Sequence, residues 1–268
     1  MPTLSRPGAE LHFAERGAGP TLLLLHGLGG SGADWDGVAP ALCDRYRVVT
    51  PDLRGSGGSQ NLARPHGPFS IAELAADTAA LLEHLGGGPA HVCGWSMGGM
   101  VALQLAVDNP DRVASLTIVN SGPDWTPKTA LQGLALHLRG VVTALVGPAA
   151  MARVLARKLF PHPGQAALRR AYLARMAEND RRTYAALLAA IVGWSVADRL
   201  PSLSMPTLAV ASDGDYTPLA SRAAWARRMP DARLVVVRDS RHALPLEAPE
   251  RLVALLANFV DDLTSVKD

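Results

Sequence analysis

The chain is poor in cysteine, and this scarcity excludes two kinds of architecture. Its 268 residues include two cysteines, Cys43 and Cys93, which are too few for a disulfide framework. No cysteines and histidines stand at the spacing of metal ligands, so we expect no metal site. Cys93 lies in an apolar run and is expected to be a buried free thiol.

Long apolar segments are also missing. The N-terminal sequence MPTLSRPGAE lacks the apolar core of a signal peptide. The run Leu22–Leu25 that follows it is far too short to span a membrane. Because 48% of the residues are hydrophobic, the chain still has ample material for a large core. We therefore expect a soluble, cytoplasmic protein without a membrane partner.

Net charge is low, at +2, but it is distributed unevenly. Residues 128–199 contain eleven Lys and Arg and three Asp and Glu, a local excess of eight positive charges. No nucleic-acid-binding motif is present, which argues against nucleic acid as a partner. The basic segment is either a solvated face or a surface that attracts an anion.

Apolar runs of strand length alternate with helical patterns along the chain. The strand-like runs cover residues 21–27, 46–52, 90–96, 113–121, 206–215 and 232–240, and the helix-like segments cover residues 34–45, 70–86, 97–110, 221–230 and 249–260. In the helix-like segments apolar residues recur three and four positions apart, and Ser70 and Glu73 form a capping box. This alternation predicts an α/β fold, with a mostly parallel central sheet and helices on both of its faces.

One segment interrupts the alternation. Residues 123–201 contain no convincing strand, but they are rich in Ala, Leu and Arg at helical spacing. Breaks at Gly147-Pro148 and within residues 161–164 predict three or four helices. We therefore expect a core formed by residues 1–122 and 202–268, with a helical insertion between two of its strands.

Polar residues follow several predicted strands at their carboxyl ends. Ser96 follows the third of these strands, Asp213 and Asp215 follow the fifth, and His242 follows the last. Because the carboxyl ends of parallel strands lie at one edge of a sheet, these side chains are expected to converge there. Their order and the sequence of residues 94–98, Gly-Trp-Ser-Met-Gly, match the nucleophile elbow G-x-S-x-G.

This arrangement predicts a nucleophilic serine. Serine needs a base within hydrogen-bond reach, and the base needs an orienting partner; His242 and Asp215 fit these roles beside Ser96. The backbone N–H groups of Leu28 and Met97 are expected to form an oxyanion hole for the attacked carbonyl.

Other residues compete for the role of the acid or are expected to contact the substrate. Asp213 is the nearest rival to Asp215, and Asp124, after the fourth strand, is a more distant one. The residues expected to bind substrate are Trp95, Gly27, Trp125 and Leu244, with core packing an equally good interpretation for Trp95.

The motifs HGLGG, DLRGSGGS, GWSMGG, SDGDYTP and DSRHALPLEAPERL resemble those of the α/β-hydrolase superfamily. The resemblance covers nearly the whole chain outside residues 123–201, and it implies that this insertion is a helical cap or lid. It also implies a Ser–His–Asp triad and no cofactor. One departure is that two residues, Tyr216 and Thr217, separate the acid from Pro218, where the family often has three.

The expected activity is cofactor-independent hydrolysis of a small carboxylic ester or lactone. Several alternatives stay open, because members of one fold catalyse many reactions. They are a carbon–carbon bond hydrolase, a perhydrolase, a cyclising enzyme and a ligand receptor with little turnover. A further alternative is an esterase for methyl esters linked to an acidic carrier protein, since GWSMGG and a basic cap resemble such enzymes.

Overall fold

The computed structural model describes residues 2–265, apart from the side chains of residues 137, 139, 264 and 265. Within these residues nine strands form one sheet: β1 (Thr3–Arg6), β2 (Ala9–Arg16), β3 (Thr21–Leu25), β4 (Arg47–Pro51), β5 (Gln60–Asn61), β6 (Ala90–Trp95), β7 (Val113–Val119), β8 (Thr207–Ser212) and β9 (Ala232–Val237). Their order is β1-β2-β4-β3-β6-β7-β8-β9, and β5 pairs with β2. The strands from β4 to β9 along this order run parallel, whereas β2 is antiparallel to β1, β4 and β5. The predicted mostly parallel sheet is therefore confirmed.

Both faces of the sheet are covered by apolar packing. In β3, Leu23 and Leu25 belong to one core cluster, and Leu22 and Leu24 belong to another on the opposite face. All five residues of this strand are buried. Successive side chains of a strand point to opposite faces, so a strand covered on both sides needs a continuous apolar run. This requirement explains why the central strands are readable in the sequence.

The N-terminal hairpin is an element that the sequence pattern does not predict. Strands β1 and β2 alternate exposed and more buried residues, and β2 carries charged side chains at its outer positions. Such antiparallel edge strands need one apolar face, so their signal is much weaker than that of a doubly covered strand.

Helices fill the connections between strands: α1 (Ile71–Leu85), α2 (Met97–Asp108), α3 (Ala130–Val146), α4 (Pro148–Leu159), α5 (Ala166–Glu178), α6 (Arg181–Ile191), α7 (Leu219–Ala226), α8 (Leu244–Glu247) and α9 (Pro249–Ser265). The Ser70 side chain accepts a hydrogen bond from the Glu73 N–H and so caps α1 as predicted. Helices α3 to α6 all lie between β7 and β8, and the three breaks between them fall at Gly147, within residues 160–165 and at residues 179–180.

One predicted helix is wrong. Residues 34–45 do not form an α-helix but two short 3-10 segments, Gly32–Trp35 and Ala39–Ala41. Pro40 would stand in the interior of the predicted helix, where it cannot donate the required N–H and its ring clashes with the preceding turn. The apolar side chains of this segment, including Trp35, are nevertheless buried in the core.

The length and apolar character of the helices show whether any of them could cross a membrane. Within residues 2–265 no individual helix combines the length and the apolar character required to cross a bilayer; α3 and α4 meet that test only as a pair, which is bent by 118°.

Candidate active site

Ser96 occupies a strained turn between β6 and α2. It is a non-glycine residue with a positive φ of 55°, and it stands at the N-terminal cap position of α2. The turn is closed by glycines because side chains would collide there. A Cβ at Gly94 would lie 2.2 Å from the Gly98 carbonyl oxygen, and a Cβ at Gly98 would lie 2.2 Å from the Leu25 carbonyl oxygen. The strained conformation is of the kind that costs about 1–3 kcal/mol and is found at functional sites.

The hydroxyl of Ser96 lies beside a histidine and an aspartate from distant parts of the chain. Ser96 Oγ is 2.9 Å from His242 Nε2, and His242 Nδ1 is 2.9 Å from Asp215 Oδ1. An ionised carboxylate can only accept hydrogen bonds, so Nδ1 donates to Asp215 and Nε2 accepts from the serine hydroxyl. The structure thus brings together the three residues that the sequence order singles out.

Asp215 is held in its ionised form. Burial opposes ionisation, but the hydrogen bond and charge of His242 together with those of Arg222 hold the pKa of the Asp215 carboxyl below its usual value. Arg222 Nη2 donates to Asp215 Oδ2 at 2.7 Å, and the Tyr216 N–H donates to Oδ1 at 2.7 Å. Both carboxylate oxygens are therefore fixed.

The two rival acids have other partners. Asp213 accepts hydrogen bonds from the backbone N–H groups of Asp239 and Ser240, at 3.1 and 3.3 Å, and so helps to shape the loop before His242. Asp124 accepts from the Thr126 N–H at 2.9 Å and pairs with Lys128. Asp215 is the acid whose carboxylate contacts the His242 ring.

The loop after β3 lies against the serine. A Cβ at Gly27 would be 3.3 Å from Ser96 Cβ, so Gly27 lies directly beside Ser96. His26 fixes this loop from inside, since its Nε2 accepts from the Leu53 N–H at 2.9 Å and its Nδ1 lies 2.8 Å from the Gly27 carbonyl oxygen. Burial lowers the pKa of His26, so it stays neutral in this structural role.

Met97 is the first residue of α2. The first N–H groups of a helix have no acceptor within the helix, and they carry the positive end of its dipole. The Met97 N–H directly follows Ser96, at the N-terminal end of α2. The oxyanion role of Leu28 and Met97 stays a prediction.

The residues expected to bind substrate lie in different surroundings. Trp95 is buried, and its indole N–H donates to the His242 carbonyl oxygen at 2.7 Å, so it holds the histidine loop in place. Leu244 is completely buried in the core cluster below that loop. Trp125 lines a cavity of about 570 Å³ that also contacts Tyr216 and Arg222. Of the four, Trp125 and Trp95 border cavities, Gly27 lies against Ser96, and Leu244 is buried in the core.

A second cavity reaches His242 directly. It measures about 310 Å³, and its lining is mostly apolar: Leu155, Lys158, Leu159, Pro161, Gly214, Tyr216, Arg241 and His242. Four of these residues come from α4 and the turn after it. The helical insertion therefore contributes one wall of the space beside His242.

Two residues at the site are missing from the sequence-based prediction. Tyr216 Oη lies 2.8 Å from His242 Nε2, and its ring lies over the imidazole at a centroid distance of 4.3 Å. Asn120, with φ of 47°, donates from Nδ2 to the carbonyl oxygens of Arg241 and His242 at 3.0 and 3.1 Å. Tyr216 could have been noticed as the neighbour of the acid, but Asn120 has no distinguishing signal in the sequence.

Potential metal ligands do not cluster in the part of the chain that is described. Among residues 2–265 no group of three or more His, Cys, Asp or Glu side chains is arranged to hold a metal ion. The buried thiol of Cys93 has a pKa raised by burial above its ordinary value, so it is not a nucleophile.

Comparison with known proteins assigns the chain to a family. A family model described as the alpha/beta hydrolase fold matches residues 20–249. The chain therefore belongs to the α/β-hydrolase fold family, in agreement with the motifs at its strand ends.

Similar proteins are named as hydrolases. The chain is 34% identical over 251 residues to a pimeloyl-acyl-carrier-protein methyl ester esterase of Aeromonas hydrophila, covering 91% of this chain and 96% of that protein. It is 32% identical over 270 residues to a candidate carbamate hydrolase of Azorhizobium caulinodans, covering 98% and 99%. An esterase of Thermogutta terrifontis, solved with malate bound, superposes with a TM-score of 0.85 at 29% identity and 97% coverage of both chains. Ester hydrolysis thus fits both the family and the relatives.

Proposed function

We propose that this chain is a serine hydrolase that cleaves a small carboxylic ester or lactone through an acyl-enzyme on Ser96. The observation that carries the proposal is the continuous contact from Ser96 Oγ to His242 Nε2 and from His242 Nδ1 to Asp215 Oδ1, each at 2.9 Å. A serine hydroxyl, a base and an orienting acid in this geometry are the parts required for acyl transfer.

The proposed reaction has two halves. Ser96 Oγ attacks the carbonyl carbon while its proton passes to His242 Nε2, and the N–H groups of Leu28 and Met97 stabilise the oxyanion. Collapse of this intermediate breaks the bond to the leaving oxygen, which takes the proton from Nε2 and departs as an alcohol. Water then attacks the acyl-enzyme with His242 as base, which releases the acid and restores Ser96.

Substrate size is limited by the space beside His242. The cavity of about 310 Å³ lies at the lower end of the range for small-molecule sites. Its walls from Leu155, Leu159 and Pro161 suit an apolar acyl or alcohol group rather than a charged one. The cavity that contains Trp125 offers a second direction for the other half of the ester.

We further propose that residues 123–201 act as a lid on a core formed by residues 1–122 and 202–268. Two polar contacts from α5 to the core support this role. Asn179 Nδ2 donates to the Gly29 carbonyl oxygen at 3.0 Å, and Arg175 pairs with the buried Asp34. Both contacts reach the segment that follows β3, so movement of the lid would be transmitted to the Leu28 N–H.

Hydrolysis of p-nitrophenyl esters from acetate to decanoate tests the proposal, with the wild type measured beside Ser96→Ala. We expect turnover of the short esters and its loss in the variant, because the alanine has no nucleophile. Equal turnover by both proteins would contradict the proposal. The chain length at which kcat/KM falls would give the size of the acyl site.

A second candidate is an ester carried on an acidic protein. The exposed cations of the lid support it: Arg153, Arg157, Lys158, Arg170, Arg181 and Arg182. Arg139 belongs to the same basic segment, but its side chain is not among those that the structure describes. The relative from Aeromonas hydrophila is named for a carrier-linked methyl ester.

This candidate is tested with one methyl ester in two forms, linked to acyl carrier protein and free. Raising NaCl from about 50 to 300 mM should raise KM for the linked ester alone, since salt screens attraction between surfaces. Arg153→Glu with Arg157→Glu should have the same effect. Equal salt dependence for both forms would exclude a carrier-binding lid.

A further inference from the structure

Arg222 lies behind the Ser–His–Asp arrangement, although no part of the proposed reaction requires it. Its side chain is 4% exposed and projects from α7 toward the acid loop. Nη2 donates to Asp215 Oδ2 at 2.7 Å, and Nη1 donates to the Ser121 carbonyl oxygen. One guanidinium thus joins the end of β7 to the loop after β8.

Ser121 continues this connection to the nucleophile. Its hydroxyl donates to the Ser96 carbonyl oxygen at 2.6 Å. A closed circuit of hydrogen bonds therefore runs from Ser96 through His242, Asp215, Arg222 and Ser121 back to the backbone of Ser96. Displacement of any member changes the distance between the serine hydroxyl and the imidazole.

Stability alone does not explain such a residue. A buried ion pair is weak support for stability, because desolvation of both charges offsets their attraction. Burial lowers the pKa of the Arg222 guanidinium, and the charge and hydrogen bond of Asp215 oppose that shift. A guanidinium presents its N–H donors in one plane, which lets two of them reach Asp215 and the Ser121 carbonyl oxygen together.

We propose that Arg222 is a positioning residue for the reaction, which fixes the Asp215 carboxylate against His242 and ties the acid loop to the nucleophile turn through Ser121. This inference rests on the proposed serine-hydrolase function. Arg222 contacts no reacting atom, although it borders the cavity that contains Trp125, so we expect its effect on kcat to be larger than its effect on KM.

Removal of the Arg222 charge should also change the pH profile of activity. Without a positive charge beside it, the negative charge of Asp215 acts more strongly on the imidazole, so the acid limb of the variant should move to higher pH. Other titratable or charged groups near this unit are Tyr216 on the ring, Arg241 before the histidine, Asp213 in the acid loop and Glu247 on α8. Glu247 accepts from the Arg241 N–H at 2.6 Å, and burial raises the pKa of its carboxyl to about 7. The effect of Glu247 on the pH profile must therefore be distinguished from the effect of His242.

The test compares the wild type with Arg222→Met, Arg222→Lys and the exposed neighbour on the same segment, Arg227→Met. The measurement is kcat and KM for p-nitrophenyl acetate between pH 5 and 9, with thermal unfolding of each protein. Arg222→Met should lower kcat at least ~10-fold, yet by less than the ~10⁴-fold typical when the acid itself loses its charge. Its acid limb should move up by about one pH unit, the low end of the effect of a neighbouring charge. Arg222→Lys should restore the acid limb but only part of kcat, and Arg227→Met should match the wild type.

Three outcomes would overturn the inference. One is an Arg222→Met protein that is less stable but has the kcat and acid limb of the wild type. Another is a folded Arg222→Lys protein whose kcat equals that of the wild type. This outcome alone would overturn the inference if Arg222→Met does not fold. The third is an acid limb that disappears in Glu247→Gln. Failure of the proposed serine-hydrolase function would look different from failure of this inference. In that case the wild type itself would not react with a fluorophosphonate at Ser96.

Discussion

Replacing Glu247 by glutamine should change how the stability of the protein depends on pH. Burial raises the pKa of the Glu247 carboxyl to about 7 from 4.5, although the Arg241 N–H and the charges of Arg241 and Arg251 oppose the shift. Because the folded state then binds more protons at Glu247 than the unfolded state, the contribution of Glu247 to stability is greatest below pH 4.5. It falls as the pH rises toward 7, and it is constant above that.

The size of this loss follows from the shift. The interval from 4.5 to about 7 corresponds to an upper limit of about 3.4 kcal/mol. The Glu247 side chain is partly exposed, and solvent screening reduces the expected loss to about 1–2 kcal/mol. Glutamine keeps an oxygen that can accept from the Arg241 N–H, so the variant loses the titration without losing the hydrogen bond.

Urea unfolding at several pH values between 5 and 8 measures the effect. The free energy of unfolding of Glu247→Gln should rise relative to the wild type by about 1–2 kcal/mol across this interval. Glu250→Gln, an exposed neighbour on α9, should run parallel to the wild type. Parallel curves for Glu247→Gln as well would refute the reasoning.

Three further substitutions probe the site and its turn, one of them as a control. Tyr216→Phe removes an O–H that competes with the Ser96 hydroxyl for the lone pair of His242 Nε2, so the rate of reaction of Ser96 with a fluorophosphonate should rise roughly two- to tenfold; a slower reaction would mean that the phenol assists. Gly98→Ala places a Cβ 2.2 Å from the Leu25 carbonyl oxygen and should cost about 3 kcal/mol or more in thermal unfolding. Gly140→Ala in α3 has no atom within 4 Å of its Cβ and should instead gain up to ~1 kcal/mol; equal effects of the two glycine changes would contradict the account of the turn.

The central fold is readable from the sequence because burial on both faces demands continuous apolar runs. The elbow is readable for a related reason, since a sharp turn forces glycine at positions 94 and 98 around Ser96. The hairpin of β1 and β2 is not readable, because one covered face leaves it little apolar pattern. Residues 34–45 carry a helical apolar pattern that Pro40 prevents from forming an α-helix.

Residues that act through other residues escaped the sequence-based prediction. Arg222 belongs to the segment SRAAWARRMP, and the inward position of this arginine depends on the phase of a short helix. Asn120 directly follows β7, a position where turn residues are common, so its residue type gives no signal. The three contacts that its Nδ2 donates involve residues about ninety or more positions away in the sequence. Contacts of this kind are set by the tertiary fold, whereas the Ser96 turn is set by local sequence.

The central claim is that Ser96 is activated by His242, and its most direct test is covalent. The protein is treated with a fluorophosphonate, digested, and the labelled peptide is located by mass spectrometry, beside Ser96→Ala and His242→Gln. The account predicts one adduct in the wild type, on Ser96, which is absent in Ser96→Ala and forms at least ~100-fold more slowly in His242→Gln. An unlabelled wild type, or a label that forms equally fast without His242, would contradict it.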